Sequence, residues 1–84
     1  MRNVVLYSRE GCCLCDEART VLARVVSRHP GAFELQERDI ESDQATLKAY
    51  LERIPVVTID GVEAFELLVD ELELEQRLGI VRAE

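Results

Sequence analysis

The sequence has no tryptophan, one methionine and one histidine, and its three cysteines all fall at positions 12, 13 and 15. A secreted, disulfide-stapled scaffold spreads an even number of cysteines along the chain, so this distribution excludes that design. Three thiols with no histidine nearby in sequence also fall short of a four-ligand zinc or iron–sulfur site. No apolar run reaches the roughly 18 residues of a membrane-spanning helix, and the chain enters a strand-like segment at once, without the apolar core of a signal peptide. The expectation is a soluble cytoplasmic protein with no membrane association. Positive charge is scarce as well: 10 basic against 17 acidic residues leave a net charge of -7. The basic residues are scattered, so the positive footprint that nucleic acid requires is missing. What remains is an 84-residue chain, 48% hydrophobic, enough for one modest core and one domain spanning 1–84.

The apolar pattern divides the chain into short elements. Asn3 to Tyr7 is an apolar run ended by Ser8-Arg9-Glu10-Gly11, which reads as a buried strand and a loop. From Cys13 onward, Ala18, Val21, Leu22, Val25 and Val26 recur at helical spacing until His29-Pro30-Gly31 stops them. Phe33 to Asp39 reads as a second strand. Ser42 or Asp43 then caps a short helix carrying Leu47, Tyr50 and Leu51 on one face. Arg53-Ile54-Pro55 interrupts it, and Val56, Val57 and Ile59 make a third strand. Asp60-Gly61 is a strong hairpin signal, returning a fourth strand over Val62 to Phe65. Asp70-x-x-Glu73 forms a capping box for a last helix bearing Leu74, Leu78 and Val81. The order β-α-β-α-β-β-α predicts an α/β fold with a mixed four-stranded sheet flanked by helices, its two strand–helix–strand connections pairing parallel and the hairpin antiparallel.

The cysteines sit in the first turn of the first helix, where Cys12-x-x-Cys15 places two thiols one turn apart. A disulfide needs Cα atoms roughly 4.4–6.8 Å apart, which one helical turn supplies without rearrangement. Free backbone N–H groups and the positive end of the helix dipole favour a thiolate there, most of all for the more N-terminal residue. Cys12 is therefore the expected nucleophile and Cys15 the resolving thiol. Arg9, three residues earlier, adds positive potential, while Asp16 and Glu17 oppose a thiolate if they face the sulfur. Cys13 is poorly placed for an unstrained bridge to either neighbour. It reads as a small intervening side chain, with a regulatory or metal-binding role as the alternative.

At this point the residues resemble a known family. The run Val5-Leu6-Tyr7-Ser8-Arg9-Glu10-Gly11-Cys12-Cys13-Leu14-Cys15 is similar to the strand–loop–helix opening of glutaredoxins. Arg53-Ile54-Pro55-Val56-Val57 resembles their T-V-P segment, and the element order agrees over nearly the whole chain. The resemblance is to short glutaredoxin-like proteins of the thioredoxin superfamily and implies the thioredoxin-like fold. It further implies that Pro55 is cis and beside the cysteines, that the Ile54 backbone offers hydrogen bonds to an extended substrate, and that Arg9 meets a glutathione carboxylate. Without the family, Pro55 reads as a proline at a strand start. One departure stands out. Where glutaredoxins carry a Gly-Gly pair and an acidic residue, this chain has Phe65-Glu66-Leu67-Leu68-Val69-Asp70. That replacement weighs against glutathione as a co-substrate and brings forward a protein disulfide substrate with a thioredoxin-reductase-like reductant.

Other residues have plainer readings. His29 is expected to cap the carbonyls at the end of the first helix. Tyr7 and Tyr50 read as core or half-buried, with Tyr7 reaching the rim of the cysteine site. Glu63, Glu66, Asp70, Glu71, Glu73 and Glu75 read as a solvated acidic face. Three functions compete. The first is a monomeric thiol–disulfide oxidoreductase with no tightly bound cofactor, using Cys12 and Cys15 as catalytic residues and Arg9, Ile54 and Pro55 to bind substrate. The second is a metal or iron–sulfur protein completed by glutathione and a second subunit. The third is an interaction module whose thiols do not turn over.

Overall fold

The computed structural model describes residues 2–79. Its elements are β1 (Arg2–Ser8), α1 (Cys13–Arg28), β2 (Phe33–Asp39), a single 3-10 turn (Ile40–Ser42), α2 (Gln44–Tyr50), β3 (Val56–Ile59), β4 (Val62–Glu66) and α3 (Glu71–Arg77). The strands form one sheet in the order β2-β1-β3-β4. Only β1 and β2 are parallel; β1 with β3 and β3 with β4 are antiparallel. The α/β architecture is the expected one. Val81, assigned above to the last helix, lies outside the described residues.

Element lengths explain the strand directions. The 7 residues of β1 rise about 23 Å and the 16 residues of α1 about 24 Å, so α1 returns the chain to the start of the sheet and β2 runs parallel. α2 has only 7 residues, about 10 Å, too little to repeat that return. β3 therefore begins where β2 ends: Tyr7 of β1 faces Val56, and its neighbour Ser8 faces Asp39. The second strand–helix–strand connection is thus antiparallel, which corrects the parallel pairing expected of it. At the hairpin, Asp60 and Gly61 have φ of 52° and 84°, the positive values a two-residue primed turn demands. The Asp60 carboxylate also accepts the Asn3 N–H at 2.9 Å, fixing the turn against β1.

Burial follows the sheet. Along β1, Val4, Leu6 and Ser8 are buried and alternate with Val5 and Tyr7, the period of 2 that a strand imposes. β3, flanked on both edges, is buried at every position. Edge strand β2 buries only Phe33, and the charges along it guard the open edge against pairing. Cys15, Ala18, Leu22 and Val25 form the buried stripe of α1; Val26, expected on that stripe, is 36% exposed because it lies at its margin. The main core joins Val4, Leu6, Leu22, Val25, Phe33, Val57, Ile59 and Leu74. Each large side chain buried there contributes about 1.5–3 kcal/mol.

Charges fasten α3 to α1. Asp70 caps α3 by accepting the Glu73 N–H at 3.0 Å, and Glu71 receives Arg24 and Arg28 at 2.7 and 2.6 Å. Those guanidiniums hold the Glu71 carboxyl below the usual carboxylate range, Arg24 contributing most. Glu75 is buried at 2% exposure and lies 2.8 Å from His29 Nε2. Two members of the supposed acidic face are therefore interhelical contacts. The His29 ring likewise departs from its expected capping role: a carboxylate presented by α3 is a stronger partner than the helix carbonyls, and only the His29 backbone N–H caps α1, through Val25 O at 2.9 Å.

Candidate thiol site

The loop between β1 and α1 delivers the cysteines. Gly11 takes φ +82°, a left-handed turn that a side chain would strain, and this reverses the chain into the helix. Cys12 is the N-cap residue, extended at φ -93° and ψ 116°. Its Sγ accepts the Cys15 backbone N–H at 3.3 Å, the role that serine or aspartate oxygen plays at other helix starts. Its carbonyl meanwhile accepts the Asp16 N–H at 3.1 Å. Cys12 is partly exposed, Cys13 exposed and Cys15 buried.

That difference in burial separates the two thiols chemically. Cys15 packs with Ile40 and Ile54, and Tyr7, Tyr50, Leu47 and Cys12 lie against this second apolar cluster. Burial pushes the Cys15 thiol up to about 11; its hydrogen bond with Cys12 acts in the same direction, and one with the Arg9 backbone opposes them. Asp16 does not act on the thiols alone, because Arg19 Nη1 binds it at 2.6 Å. Arg19 also grips Glu37 of β2 at 2.9 and 2.6 Å, and Ser8 donates to the same carboxylate at 2.7 Å. This network fixes the cysteine turn of α1 to the ends of β1 and β2. Glu17 lies on the other flank, with Leu14, Leu67 and Leu68.

A groove of about 620 Å³ opens beside Cys12, lined by Arg9, Glu10, Gly11, Cys12, Glu41, Leu51 and Ile54. It brings together Arg9, Cys12 and Ile54, three of the residues singled out from the sequence. Pro55 follows a cis peptide bond from Ile54 and is fully buried rather than on the groove wall. Arg9 is engaged within the protein: its Nε donates to Glu41 Oε1 at 2.8 Å. Glu10, Gly11, Glu41 and Leu51 also line the groove and are the residues that sequence reasoning did not assign to the site. Nothing local marks Glu41; it arrives at the site only because the 3-10 turn follows β2 at the cysteine end of the sheet.

The turn after β4 stands where the resemblance expects a Gly-Gly pair. Leu67 adopts φ +68°, a conformation in which glycine is the usual occupant, and its N–H reaches the carbonyls of Arg53 and Pro55 at 3.2 and 2.9 Å. A left-handed turn is thus made here without glycine and carries an exposed leucine. Arg53 lies over the Tyr50 ring, 5.4 Å from its centroid, and its guanidinium bonds Glu63 and Glu66. The Tyr50 ring in turn packs on Tyr7 at 4.9 Å.

A sheet of order β2-β1-β3-β4 with one parallel and two antiparallel pairs, a thiol pair opening α1 and a cis-proline before β3 define the thioredoxin-like fold. Comparisons with known proteins agree. The sequence profile described as "Glutaredoxin-like domain (DUF836)" matches residues 3–79, and the chain belongs to that glutaredoxin-like family of the thioredoxin superfamily. Protein Ne2328 from Nitrosomonas europaea, solved by solution NMR, is 27% identical, with TM-score 0.75 over 90% of this chain and 89% of its own. The X-ray structure of protein XcR50 from X. campestris is 29% identical, with TM-score 0.72 over 90% of this chain and 95% of its own. No curated protein matches the sequence. No helix among the described residues is long and apolar enough to cross a membrane.

Proposed function

We propose that the protein is a thiol–disulfide oxidoreductase in which Cys12 is the nucleophile and Cys15 the resolving thiol. The observation that carries this reading is their asymmetry within one helical turn: Cys12 Sγ opens on the groove at the N-cap, and Cys15 is buried directly behind it. The Cys12 thiolate attacks one sulfur of a substrate disulfide, forming a mixed disulfide and releasing one substrate thiolate, which is then protonated. Cys15 loses its proton and attacks Cys12 Sγ, closing the Cys12–Cys15 bond and releasing the second substrate thiolate. Two electrons pass from the dithiol to the substrate. A thioredoxin-reductase-like enzyme, or two molecules of a thiol such as glutathione that leave as their disulfide, restores the dithiol by the reverse exchange. Arg9 and Ile54 form the binding wall, with Pro55 beneath it. A reducing cytoplasm is the compartment that suits such a cycle.

The test is reduction of a protein disulfide with the cysteine variants. C12S abolishes it, C15S accumulates a mixed disulfide through Cys12, and C13S retains turnover. Full turnover by C12S contradicts the assignment.

A further inference from the structure

The groove beside Cys12 contains one cation, Arg9, and two carboxylates, Glu10 and Glu41. Glu41 holds Arg9 at 2.8 Å, and both side chains are about half exposed, at 49% and 46%. An ion pair this exposed adds little to stability, so its main consequence is electrostatic: the groove's cation is neutralised before a substrate arrives. Beyond Ile54 the same arrangement recurs, with Arg53 bound by Glu63 and Glu66. An anionic disulfide therefore meets a cation whose charge Glu41 already offsets through Arg9 Nε, and it shares the groove with the Glu41 and Glu10 carboxylates. With one cation against two carboxylates the groove carries a net negative charge, which a neutral disulfide does not feel and a basic group is drawn to.

We infer that Glu41 is a specificity-determining residue which directs the thiol site to disulfides with neutral or basic surroundings, of the kind found between polypeptide cysteines flanked by lysine or arginine, and away from anionic thiols such as glutathione. This rests on the oxidoreductase reading above. The chemistry at sulfur is unchanged. What Glu41 alters is the charge encountered by the group attached to the attacked disulfide.

The experiment measures the oxidation of the reduced protein by three small disulfides: cystamine, which is cationic, 2-hydroxyethyl disulfide, which is neutral, and glutathione disulfide, which is anionic. Each rate is divided by that of a small reference dithiol with the same disulfide, removing differences in leaving-group reactivity, and then by the neutral case. The expected order is cystamine, neutral, glutathione disulfide, with successive gaps of about threefold or more at low salt that shrink as ionic strength rises. In E41Q the normalised glutathione rate climbs and the cystamine rate falls; E41K inverts the order. Circular dichroism confirms that both variants are folded. Charge-independent rates, or an order that E41Q and E41K leave unchanged, overturn the inference while leaving the oxidoreductase reading intact. No reaction with any of the three overturns both.

Discussion

The backbone N–H of Cys15 points at Cys12 Sγ from 3.3 Å, while the Cys15 side chain is itself wholly buried. One residue thus helps to position the partner sulfur while its own thiol is kept from water. Burial raises the Cys15 thiol to about 11, so it stays protonated through neutral pH. In the folded dithiol protein, iodoacetamide at pH 7.5 is expected to modify Cys12 and Cys13 well before Cys15, as peptide mass mapping reads out. Cys15 labelling should rise only as pH approaches about 11 or once denaturant is added. Equal labelling of Cys12 and Cys15 in the native state at pH 7.5 contradicts the burial argument.

The same shift bears on stability. A folded thiol that holds its proton more tightly than the unfolded one stabilises the fold below the ordinary thiol range and loses that contribution as pH climbs toward the raised value. Denaturant midpoints of the reduced protein are expected to fall between about pH 9 and pH 11. The fall should be smaller in C15A, which has no proton to lose.

Glu37 works in the opposite direction. Hydrogen bonds from Arg19, and to a lesser extent Ser8, hold its carboxyl below the ordinary glutamate range. A carboxylate held low stabilises the fold above its unfolded pKa and loses that effect as pH falls through the folded value. E37Q should therefore lower stability at neutral pH and flatten the acid limb of the stability profile. A wild-type and E37Q pair with parallel acid limbs would remove Glu37 from the account of acid sensitivity.

Core packing makes a simpler claim. Leu22 is 0% exposed and joins α1 to the sheet and to Leu74. Leu22→Ala should cost about 2–5 kcal/mol in urea unfolding, from lost transfer energy and the cavity left behind. Val26→Ala, at the exposed margin of the helix, should cost far less.

His29 and Glu75 provide a test of the interhelical polar contact. Glu75 is buried and lies 2.8 Å from the ring, so removing the ring takes a partner from a desolvated carboxylate. H29A should destabilise by about 1 kcal/mol or more. A neutral effect would show that the carboxylate is satisfied without it.

Much of this arrangement was legible in the residues themselves. The helix start at Cys12 and Cys13, the second strand from Phe33 to Asp39, the Asp60-Gly61 hairpin and the cap at Asp70 follow from local rules of periodicity, turn conformation and side-chain capping, and of the two candidates Ser42 and Asp43 it is Asp43 that caps α2. Those rules act within a few residues, which is why they survive folding unchanged. What was not legible depended on distant segments. The direction of β3 follows from α2 being too short to recross the sheet, and the burial of Glu75 follows from α3 packing beside His29. Glu41 gave no sign of its place in the groove, because that place is created by the parallel pairing of β1 and β2. The left-handed Leu67 was hidden for a related reason: the backbone keeps a glycine-like turn there while the sequence offers no glycine.

If Cys12 and Cys15 form one reversible redox couple, a redox titration of the purified protein in glutathione buffers, with acid quenching, thiol trapping and mass mapping of the disulfide, will show it. One two-electron transition joining Cys12 to Cys15 is expected, with Cys13 free throughout. No Cys12–Cys15 bond across the accessible range, or pairing that runs through Cys13, would contradict it.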